Sequence, residues 1–273
     1  MKLMHFNDFR LGVLKGDQVV DVTSVVANIP HVGPGDRMNS LIAHFGDFRA
    51  RLEAAAASGT GVPVASVRIR PPVPKPTNIE CMAVNYMEDG TLKEPSPINA
   101  FHKSPGCIIG PGDTIVWPAM APTIDYEAEL AIVIGRVCKE VPRERVKDVI
   151  FGYTLANDVT SRELQKRDGQ WMRAKSFDTF CPLGPWIETE FVPGTQRITT
   201  TLNGEIKQDA KLSDMIFKVE DIIHFVTQVM TLLPGDVIIT GTPAGIGPMP
   251  EKSTIAISIE GLGQLTNKVS ARP

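Results

Sequence analysis

The triplet Pro-Gly-Asp occurs twice in the chain, and each copy stands between two apolar runs. The first lies in IIGPGDTIVWP at 108–118 and the second in LLPGDVIITGTP at 232–243. Proline pre-sets the φ angle at the start of a turn, and the β-branched residues that follow favour a strand. The 23 glycines and 22 prolines point to many further turns. The sequence therefore predicts a β-rich α+β fold in which short strands meet at tight turns.

The N-terminal part of the chain combines a hairpin, a helix and a proline-rich segment. Residues 1–22 alternate in polarity around the charged KGDQ, which predicts a β-hairpin. Apolar residues recur at helical spacing over 38–57, which predicts a helix. The segment VRIRPPVPKP at 67–76 has four prolines and is typical of a linker. We therefore expect a small N-terminal domain over 1–70 and a larger domain over 71–273.

Two helices are predicted to interrupt the strands of the larger domain. One is short, PRERVKDVIF at 142–151, and opens on Pro142, a residue favoured in the first turn of a helix. The other is VEDIIHFVTQVMTLL at 219–233, whose apolar residues recur at helical spacing. No repeat of fixed period is present in the sequence, which argues against a solenoid or a propeller.

The charge balance excludes several classes of function. The chain has 28 Lys and Arg against 31 Asp and Glu, a net charge of -3 that lacks the basic excess of a nucleic-acid binder. No stretch approaches the roughly 18 apolar residues of a membrane span, and the N-terminus lacks the apolar core of a signal peptide. The four cysteines are widely spaced and form no CxxC pair, which fits a reducing compartment. We expect a cytoplasmic protein that binds a small neutral or anionic molecule, and no nucleic acid or membrane.

The most informative segment is DYEAELAIVIG at 125–135. Its Ile and Val content predicts a strand, and residues two apart on a strand point to one face, so Glu127 and Glu129 project together. Two adjacent carboxylates repel each other and take up a proton unless a cation lies between them. Alternatively, the two glutamates lie on the solvated face of an edge strand.

A third carboxylate follows another predicted strand in GYTLANDVTSRELQ at 152–165. Asp158 stands where this strand ends, and it could complete a three-oxygen site for a hard cation. Magnesium is the expected metal, with manganese or calcium as alternatives. Taken alone, Asp158 could equally be the N-cap of the helical turn that follows.

Three polar side chains downstream could hold an anionic substrate against the metal. Arg162 offers a two-pronged contact, Lys175 offers a point charge, and Gln165 lies between them in the sequence. The alternative for each cation is an ordinary position on the surface. Since no histidine lies in a triad context and GxSxG is absent, metal-assisted chemistry is the better hypothesis.

The glycine-rich segment TGTPAGIG at 240–247 is neither a Walker loop nor a dinucleotide-binding loop. Such a loop after a strand could still bring backbone N–H groups, including that of Gly241, and the Thr242 hydroxyl close to a ligand oxygen. Its alternative role is structural, as a turn.

Seven motifs, in order along the chain, resemble those of the fumarylacetoacetate hydrolase family, in its acylpyruvase-like branch. They are VNY at 84–86, FHK at 101–103, DYEAELAIVIGR at 125–136, GYTLANDVTSRELQ at 152–165, KSFDTFCPLGPW at 175–186, NGE at 203–205 and LLPGDVIITGTPAGIG at 232–247. The resemblance covers roughly residues 78–270. It implies a mixed β-roll catalytic domain, a small N-terminal α/β domain, a homodimer and a divalent metal ion, commonly magnesium.

The resemblance also implies roles for individual residues. The metal ligands would be Glu127, Glu129 and Asp158. The positions expected to contact substrate are Arg162, Gln165, Lys175, Gly241 and Thr242, with Tyr86 at the mouth of the site. Lys175 would lie close to the substrate oxygens at the metal and is therefore also a catalytic candidate.

One segment departs from the family pattern. Hydrolytic members commonly show NYxxH with a glutamate three residues later, and the histidine and glutamate activate water together. Here NYMEDGTLKEP at 85–95 has Asp89 at the histidine position and Leu92 at the glutamate position. Glu88 and Asp89 are therefore the candidate bases, with Glu94 and His102 as alternatives. An exposed carboxylate has a pKa near 4, which makes it a weak base at neutral pH.

The resemblance implies a divalent-metal-dependent hydrolase. Its substrate would be an acylpyruvate or a fumarylpyruvate-like 2,4-dioxo acid, in which a C–C bond breaks through a metal-stabilised enolate. The altered segment leaves two alternatives open. One is a decarboxylase, lyase or isomerase acting on a related 2-oxo acid of the oxaloacetate or hydroxymuconate type. The other is a metal-binding homologue with impaired catalysis.

Overall fold

The fold is strand-rich α+β, as the sequence predicts, and the computed structural model describes it for residues 1–87 and 93–273. The strands of the described residues are β1 (Lys2–Phe6), β2 (Arg10–Lys15), β3 (Gln18–Asp21), β4 (Gly61–Pro63), β5 (Ile69–Arg70), β6 (Ile79–Met82), β7 (Ala100–Lys103), β8 (Ile108–Ile109), β9 (Thr114–Ile115), β10 (Asp125–Tyr126), β11 (Ala128–Ile134), β12 (Ile150–Asn157), β13 (Cys181–Glu188), β14 (Arg197–Leu202), β15 (Glu205–Lys211), β16 (Val237–Ile239), β17 (Gly247–Pro248), β18 (Thr254–Ile259) and β19 (Gly263–Val269). The α-helices are α1 (Arg37–Ala43), α2 (Phe45–Ser58), α3 (Arg162–Asp168), α4 (Met172–Lys175) and α5 (Val219–Val229).

A large mixed sheet carries most of the strands. Its order is β4-β3-β2-β1-β13-β12-β11-β16-β6-β7, with β5 paired to β1 and β8 paired to β13. A second sheet has the order β15-β14-β18-β19-β9, and β10 pairs with β17. Neighbouring strands are mostly antiparallel, whereas β16 runs parallel to β6. In both sheets, strands that are far apart in the sequence are neighbours, so the sheets bring widely separated segments of the chain together.

Strand β11 lies inside the large sheet, and both of its faces are buried. Ala131 and Val133 belong to one hydrophobic cluster, while Leu130 and Ile132 belong to another on the opposite face. Side chains of a strand alternate between its two faces, so a strand with a core on each side must be apolar at every position. This explains the continuous run LAIVI after Glu129.

The two Pro-Gly-Asp turns are confirmed and share one hydrogen-bond pattern. Gly112 and Gly235 have positive φ angles of 78° and 87°, which glycine adopts without a Cβ clash. In each turn the aspartate side chain accepts a backbone N–H from three residues earlier, at 2.9 Å for Asp113 and 2.8 Å for Asp236. The aspartate thus closes the turn and the next residues enter a strand.

The N-terminal prediction needs two corrections. Residues 2–21 form three strands rather than one hairpin, because Asn7 and Phe9 take positive φ angles and make a second turn before β2. The helix expected over 38–57 is two helices that are interrupted at His44. Strand β1 also pairs with β13, which joins the N-terminal strands to the large sheet. The domain division at residue 70 stays a prediction.

Three predicted elements are shorter than expected. The strand over 125–135 is interrupted at Glu127, between β10 and β11. The segment 142–151 contains a 3-10 helix over Arg143–Asp148 and then enters β12, so the α-helix expected there is wrong. The helix expected over 219–233 ends at Val229 in α5, and Leu232 pairs instead with Cys138 as an isolated bridge.

Two further observations concern the described residues as a whole. Among them, no helix is both long and apolar enough to cross a membrane. All four cysteines are buried and none forms a disulfide in the described part of the chain.

We predict that His5 limits stability at acidic pH. The side chain lies in β1 and is fully buried, and burial lowers the pKa of His5 from 6.5 to about 4. As the pH falls from 6.5 to 4, the unfolded chain takes up a proton that the folded chain does not. The free energy of unfolding therefore falls over this window, by on the order of 3 kcal/mol at its lower end. Replacing His5 by leucine removes the loss.

The measurement is urea denaturation of the wild type and His5→Leu at pH 7 and pH 4.5. We expect the wild type to lose more stability than the variant between these values. His44→Leu is the matched control, because His44 is exposed and its removal should leave the wild-type pH dependence intact. An equal loss in the wild type and His5→Leu would contradict the prediction.

Candidate active site

Glu127 and Asp158 are brought together by the ends of two paired strands. Glu127 lies in the gap between β10 and β11, and Asp158 follows β12 directly, with Ala128 aligned to Asn157. The amide of Asp158 donates to the Glu127 carbonyl at 2.9 Å, and the Glu127 amide donates to the Asn157 side chain at 3.0 Å. These two bonds replace the regular ladder where the strand is interrupted. They hold both carboxylates at the same end of the sheet.

Glu129 on β11 completes a cluster of three buried carboxylates. Glu127, Glu129 and Asp158 each offer one oxygen such that all of these atoms lie within 4.8 Å of one another. Their side chains are almost entirely shielded from solvent. Burial raises the pKa of Glu129 well above its usual range, and the negative charges of Asp158 and Glu127 add to the effect. Such a cluster requires positive charge in its immediate surroundings.

Two buried lysines supply part of that charge. Nζ of Lys103 lies 2.6 Å from Oδ1 of Asp158, and Nζ of Lys175 lies 2.6 Å from Oδ2. Lys175 also reaches Oε2 of Glu127 at 2.9 Å. Burial opposes the ionisation of Asp158, but the two lysines outweigh it and hold the pKa of this carboxyl below its usual range. Asp158 is thus the ionised centre of the cluster, rather than a helix N-cap.

Lys103 is the site residue that the sequence analysis did not predict. It lies at the end of β7 and is fully buried. Besides Asp158, its ammonium group donates to the carbonyls of Phe180 at 2.8 Å and Val159 at 3.3 Å. All three of its protons therefore have acceptors, which is the condition under which a lysine can be buried.

The motif FHK contains both Lys103 and His102, and strand periodicity separates the two side chains. Successive residues of a strand face opposite sides, so Phe101 and Lys103 share one face and His102 takes the other. His102 lies 2.8 Å from the Glu80 carboxylate and is half-exposed. It does not line the cavity described below, which speaks against its alternative role as the base.

Arg162 opens α3 and bridges the cluster to the helix. Its Nε donates to Asp125 at 3.1 Å, Nη1 donates to Gln165 at 2.6 Å, and Nη2 contacts the Glu127 carboxylate. Burial opposes the charged form of Arg162, but Glu127 and Asp125 outweigh it and raise its pKa. The structure thus brings two predicted substrate contacts, Arg162 and Gln165, to the rim of the carboxylate cluster.

The glycine-rich loop after β16 covers the cluster from another side. The N–H of Gly241 donates to the Glu129 carboxylate. Gly241 has a φ of 94°, and a Cβ at this position would lie 2.6 Å from Cβ of Asn85. Only glycine therefore allows the loop to approach so closely. The loop therefore turns the chain, as expected, and directs an N–H to a carboxylate of the cluster, while its contact with a ligand oxygen stays a prediction.

Two further predicted residues lie close by. The Thr242 hydroxyl accepts a hydrogen bond from Gln208 at 2.8 Å. Tyr86 is buried in the wall of the site rather than exposed at its mouth, and its hydroxyl has no partner among the described residues. Glu88 and Asp89, the candidate bases, lie outside the described residues.

A cavity of about 460 Å³ opens onto the cluster. Its lining in the described part of the chain is Met82, Ala83, Val84, Tyr86, Phe101, Glu127, Glu129, Arg162, Gln165, Trp171, Lys175, Thr242, Pro243, Ala244, Gly245 and Ile246. A somewhat larger cavity of about 510 Å³ lies elsewhere, beside Tyr153 and Phe191, and none of the clustered carboxylates lines it. Since titratable groups converge in the smaller cavity, we take it as the functional site.

The residues present fit a hard divalent cation. Three carboxylates converge within a few ångströms, and oxygen donors are what magnesium, manganese and calcium prefer. The raised pKa of Glu129 favours its protonated form, and a cation bound beside it would stabilise the charged form instead. The buried Tyr86 hydroxyl offers one more polar group facing the cavity.

The fold and site define a class: an α+β enzyme in which buried carboxylates and cationic side chains meet at a cavity. The sequence profile described as fumarylacetoacetate (FAA) hydrolase C-terminal matches residues 78–270. The chain belongs to the fumarylacetoacetate hydrolase family, and it is an enzyme of that family, a hydrolase or a related isomerase.

Three similar proteins are named for three different reactions: a hydrolysis, an isomerisation and a tautomerisation. The structure of maleylpyruvate hydrolase from Sphingobium sp. SYK-6, in complex with manganese(II) and pyruvate, superposes with a TM-score of 0.89 at 36% identity over 99% of both chains. That of 5-carboxymethyl-2-hydroxymuconate delta-isomerase from Mycobacterium smegmatis gives 0.81, again at 36% identity and 99% coverage of both chains. The mitochondrial oxaloacetate tautomerase Fahd2a of Rattus norvegicus is 36% identical over 79% of this chain and 74% of its own. The fold is therefore shared by proteins with related but different chemistry.

We predict that Lys103→Met destabilises the protein by about 3 to 5 kcal/mol. The change leaves a buried carboxylate short of one counter-ion and the Val159 carbonyl without a donor, whereas the Phe180 carbonyl keeps the backbone N–H of Val159. Lys207→Met is the control, because Lys207 pairs with a largely exposed Glu205 and such pairs contribute less than about 1 kcal/mol. Urea denaturation measures both, and equal losses would contradict the prediction.

A second prediction concerns the approach of the glycine-rich loop. Gly241→Ala should cost roughly 2 to 4 kcal/mol, because the new Cβ meets both a positive φ and the Asn85 side chain. Gly204→Ala isolates the backbone effect, since Gly204 has a φ of 85° with open space around it, and it should cost about 1 kcal/mol. Thermal or urea unfolding compares the two. If Gly241→Ala loses no more free energy of unfolding than Gly204→Ala, the close approach of Gly241 to Asn85 does not require glycine.

Proposed function

We propose that the protein is a divalent-metal-dependent hydrolase that cleaves a C–C bond in acylpyruvate or fumarylpyruvate-like 2,4-dioxo acids. One observation carries the proposal: three buried carboxylates, Glu127, Glu129 and Asp158, converge, and two of them, Glu127 and Glu129, line a cavity together with Lys175 and Arg162. An oxo acid is an anion with adjacent oxygens. Its negative charge suits Lys175 and Arg162, and its oxygens suit a cation held by the carboxylates.

Magnesium is the metal we propose, with manganese or calcium as alternatives, and Glu127, Glu129 and Asp158 would hold it. Bound there, the cation would polarise the oxo-acid carbonyl and stabilise negative charge on its oxygens. The hydrolase from Sphingobium, whose structure holds manganese and pyruvate, supports both the type of metal and the type of ligand.

The side chains of the cavity would neutralise the charge of the substrate and orient it. Arg162 and Lys175 would neutralise the substrate carboxylate and the developing charge, since both lie within hydrogen-bonding reach of the cluster. Gln165 and Thr242 would orient the dioxo segment, and Gly241 would hold Glu129 in place through its N–H. Tyr86, whose hydroxyl has no hydrogen-bond partner among residues 1–87 and 93–273, would donate it to a substrate oxygen.

The reaction consumes one water. A hydroxyl adds to the 4-carbonyl of R–CO–CH2–CO–COO⁻, the bond from that carbon to C3 breaks, and its electron pair stays with the pyruvate fragment. Protonation of C3 then gives pyruvate and the acid R–COO⁻, with one proton released. The base that activates the water is proposed to be Asp89 or Glu88; Glu94 remains an alternative and is exposed.

A second candidate is a tautomerase, isomerase or decarboxylase acting on a related 2-oxo acid. One observation favours it: no histidine lines the described part of the cavity, and the usual histidine position is Asp89. Moving a proton at C3 does not require an activated water. Asp89→His discriminates the two, because it should raise hydrolysis of an acylpyruvate without raising decarboxylation of oxaloacetate if only the base is missing.

We also propose that the protein is cytoplasmic and forms a homodimer. The family resemblance supports the dimer, and the four buried cysteines, which are all unpaired in the described structure, support a reducing compartment. Multiple turnovers on any oxo acid would exclude the impaired-homologue alternative.

We predict that turnover of an acylpyruvate, followed by ultraviolet absorbance, stops in excess chelator and returns with magnesium or manganese. Glu129→Gln should bind less than stoichiometric metal and lose at least about 100-fold in kcat, since it removes a charged donor. Glu251→Gln is the matched control, because Glu251 is exposed and does not line the cavity. It should keep both properties.

Two outcomes would overturn the proposal. Turnover that persists unchanged in chelator would exclude a required metal. No turnover of any 2,4-dioxo acid, with metal bound, would exclude the hydrolase and favour the second candidate.

A further inference from the structure

The catalytic cavity is lined by two chemically different groups of side chains. The charged and polar group consists of the carboxylates Glu127 and Glu129 with Lys175, Arg162 and Gln165 beside them. The apolar group, which we call the apolar wall, consists in the described residues of Met82, Ala83, Val84, Phe101, Trp171 and Ile246. The acyl group of a substrate whose oxo-acid end lies at the charged group would therefore meet this apolar wall.

A series of contacts gives the order of these groups. Nζ of Lys175 lies 4.9 Å from the centre of the Phe101 ring, and the Phe101 ring meets Trp171 edge-on with ring centres 5.1 Å apart. Trp171 also accepts the backbone N–H of Lys175 at 3.0 Å, so the two residues belong to the same helical turn. Phe101 therefore contacts both the ammonium group of Lys175 and the ring of Trp171.

The charges near this wall do not suit a second carboxylate. Among the described lining residues, the basic ones are Arg162 and Lys175, and both already contact carboxylates of the cluster. The segment 88–92, which lies outside the described residues, reads EDGTL and contains no basic residue. The next lysine, Lys93, is exposed and does not line the cavity.

An adjoining cavity of about 420 Å³ shares Tyr86 with the first and contains Lys207, together with Asp209 and Asp214. Lys207 pairs with Glu205 at 2.7 Å. The adjoining cavity therefore carries more negative than positive charge, and its lysine already has a partner.

We infer that Trp171 and Phe101 determine specificity, and that the preferred acyl group ends in an apolar, aliphatic or aryl group rather than in a carboxylate. The inference rests on the proposed function. Burying an apolar group against this wall is favourable, whereas a carboxylate there loses water without gaining a cation. The preference would separate this chain from a relative named for maleylpyruvate, whose acyl end is a carboxylate.

Two substrates of the same shape test the inference with the magnesium-loaded enzyme. The first is 7-methyl-2,4-dioxooctanoate, which ends in an isopropyl group, and the second is 2,4-dioxoheptanedioate, which ends in a carboxylate of similar size. We expect kcat/KM to be at least about tenfold higher for the first. An equal or higher value for the second would overturn the inference while leaving the hydrolase intact.

A charge placed in the wall should shift this ratio. Trp171→Lys adds a cation that a distal carboxylate can reach, and the preference should fall by about tenfold or reverse. Met172→Lys is the matched control, since it adds the same charge one residue along, at an exposed position that does not line the cavity. Its ratio should stay within about twofold of the wild type. If Trp171→Lys does not fold, Ile246→Lys makes the same test from another part of the wall.

A binding measurement separates failure of the specificity from failure of the reaction. The analogues 7-methyl-2-oxooctanoate and 2-oxoheptanedioate lack the 4-oxo group, so neither can undergo this cleavage. Calorimetry with metal-loaded protein should show at least about tenfold tighter binding of the first. That result supports the inference even if no 2,4-dioxo acid is turned over, while tighter binding of 2-oxoheptanedioate overturns it.

Discussion

The pairing of Asp158 with two buried lysines is the interaction on which the site depends. Each oxygen of Asp158 lies 2.6 Å from one ammonium group, Lys103 on one side and Lys175 on the other. Without this charge, three carboxylates could not be buried so close together, because desolvation and mutual repulsion would protonate them. The two lysines differ in their surroundings. Lys103 is enclosed by backbone carbonyls, whereas Lys175 also faces the cavity and is available to a substrate.

The sheet explains how residues so far apart in the chain meet at one point. Strands β11 and β12 are neighbours, so Glu129 at the start of one lies near Asp158 after the end of the other. Strand β16 pairs with β11 on its opposite edge, and the loop that follows it delivers the N–H of Gly241 to Glu129. Because β11 has a hydrophobic cluster on each face, this central part of the sheet is fixed by packing. The polar cluster therefore sits on a rigid support.

Much of this could be predicted from the sequence, for identifiable reasons. The Pro-Gly-Asp turns and the β11 run are local patterns, and both were predicted. The proximity of Glu127, Glu129 and Asp158 followed from strand periodicity together with the family motifs. The interruption at Glu127 could not be foreseen, because it arises from hydrogen bonds with Asn157 and Asp158 on another strand. Lys103 was missed for a similar reason: nothing near FHK in the sequence shows that Asp158, 55 residues away, accepts a hydrogen bond from its ammonium group.

The central claim is that the three carboxylates form a divalent-cation site that receives an oxo acid. The most direct measurement is anomalous scattering from crystals of the protein grown with manganese and oxalate, a stable mimic of the oxo-acid end. The account predicts an anomalous peak within bonding distance of Glu127, Glu129 and Asp158, with oxalate between the metal and Lys175 or Arg162. A well-occupied manganese peak elsewhere, or none at the cluster with oxalate bound, would contradict it.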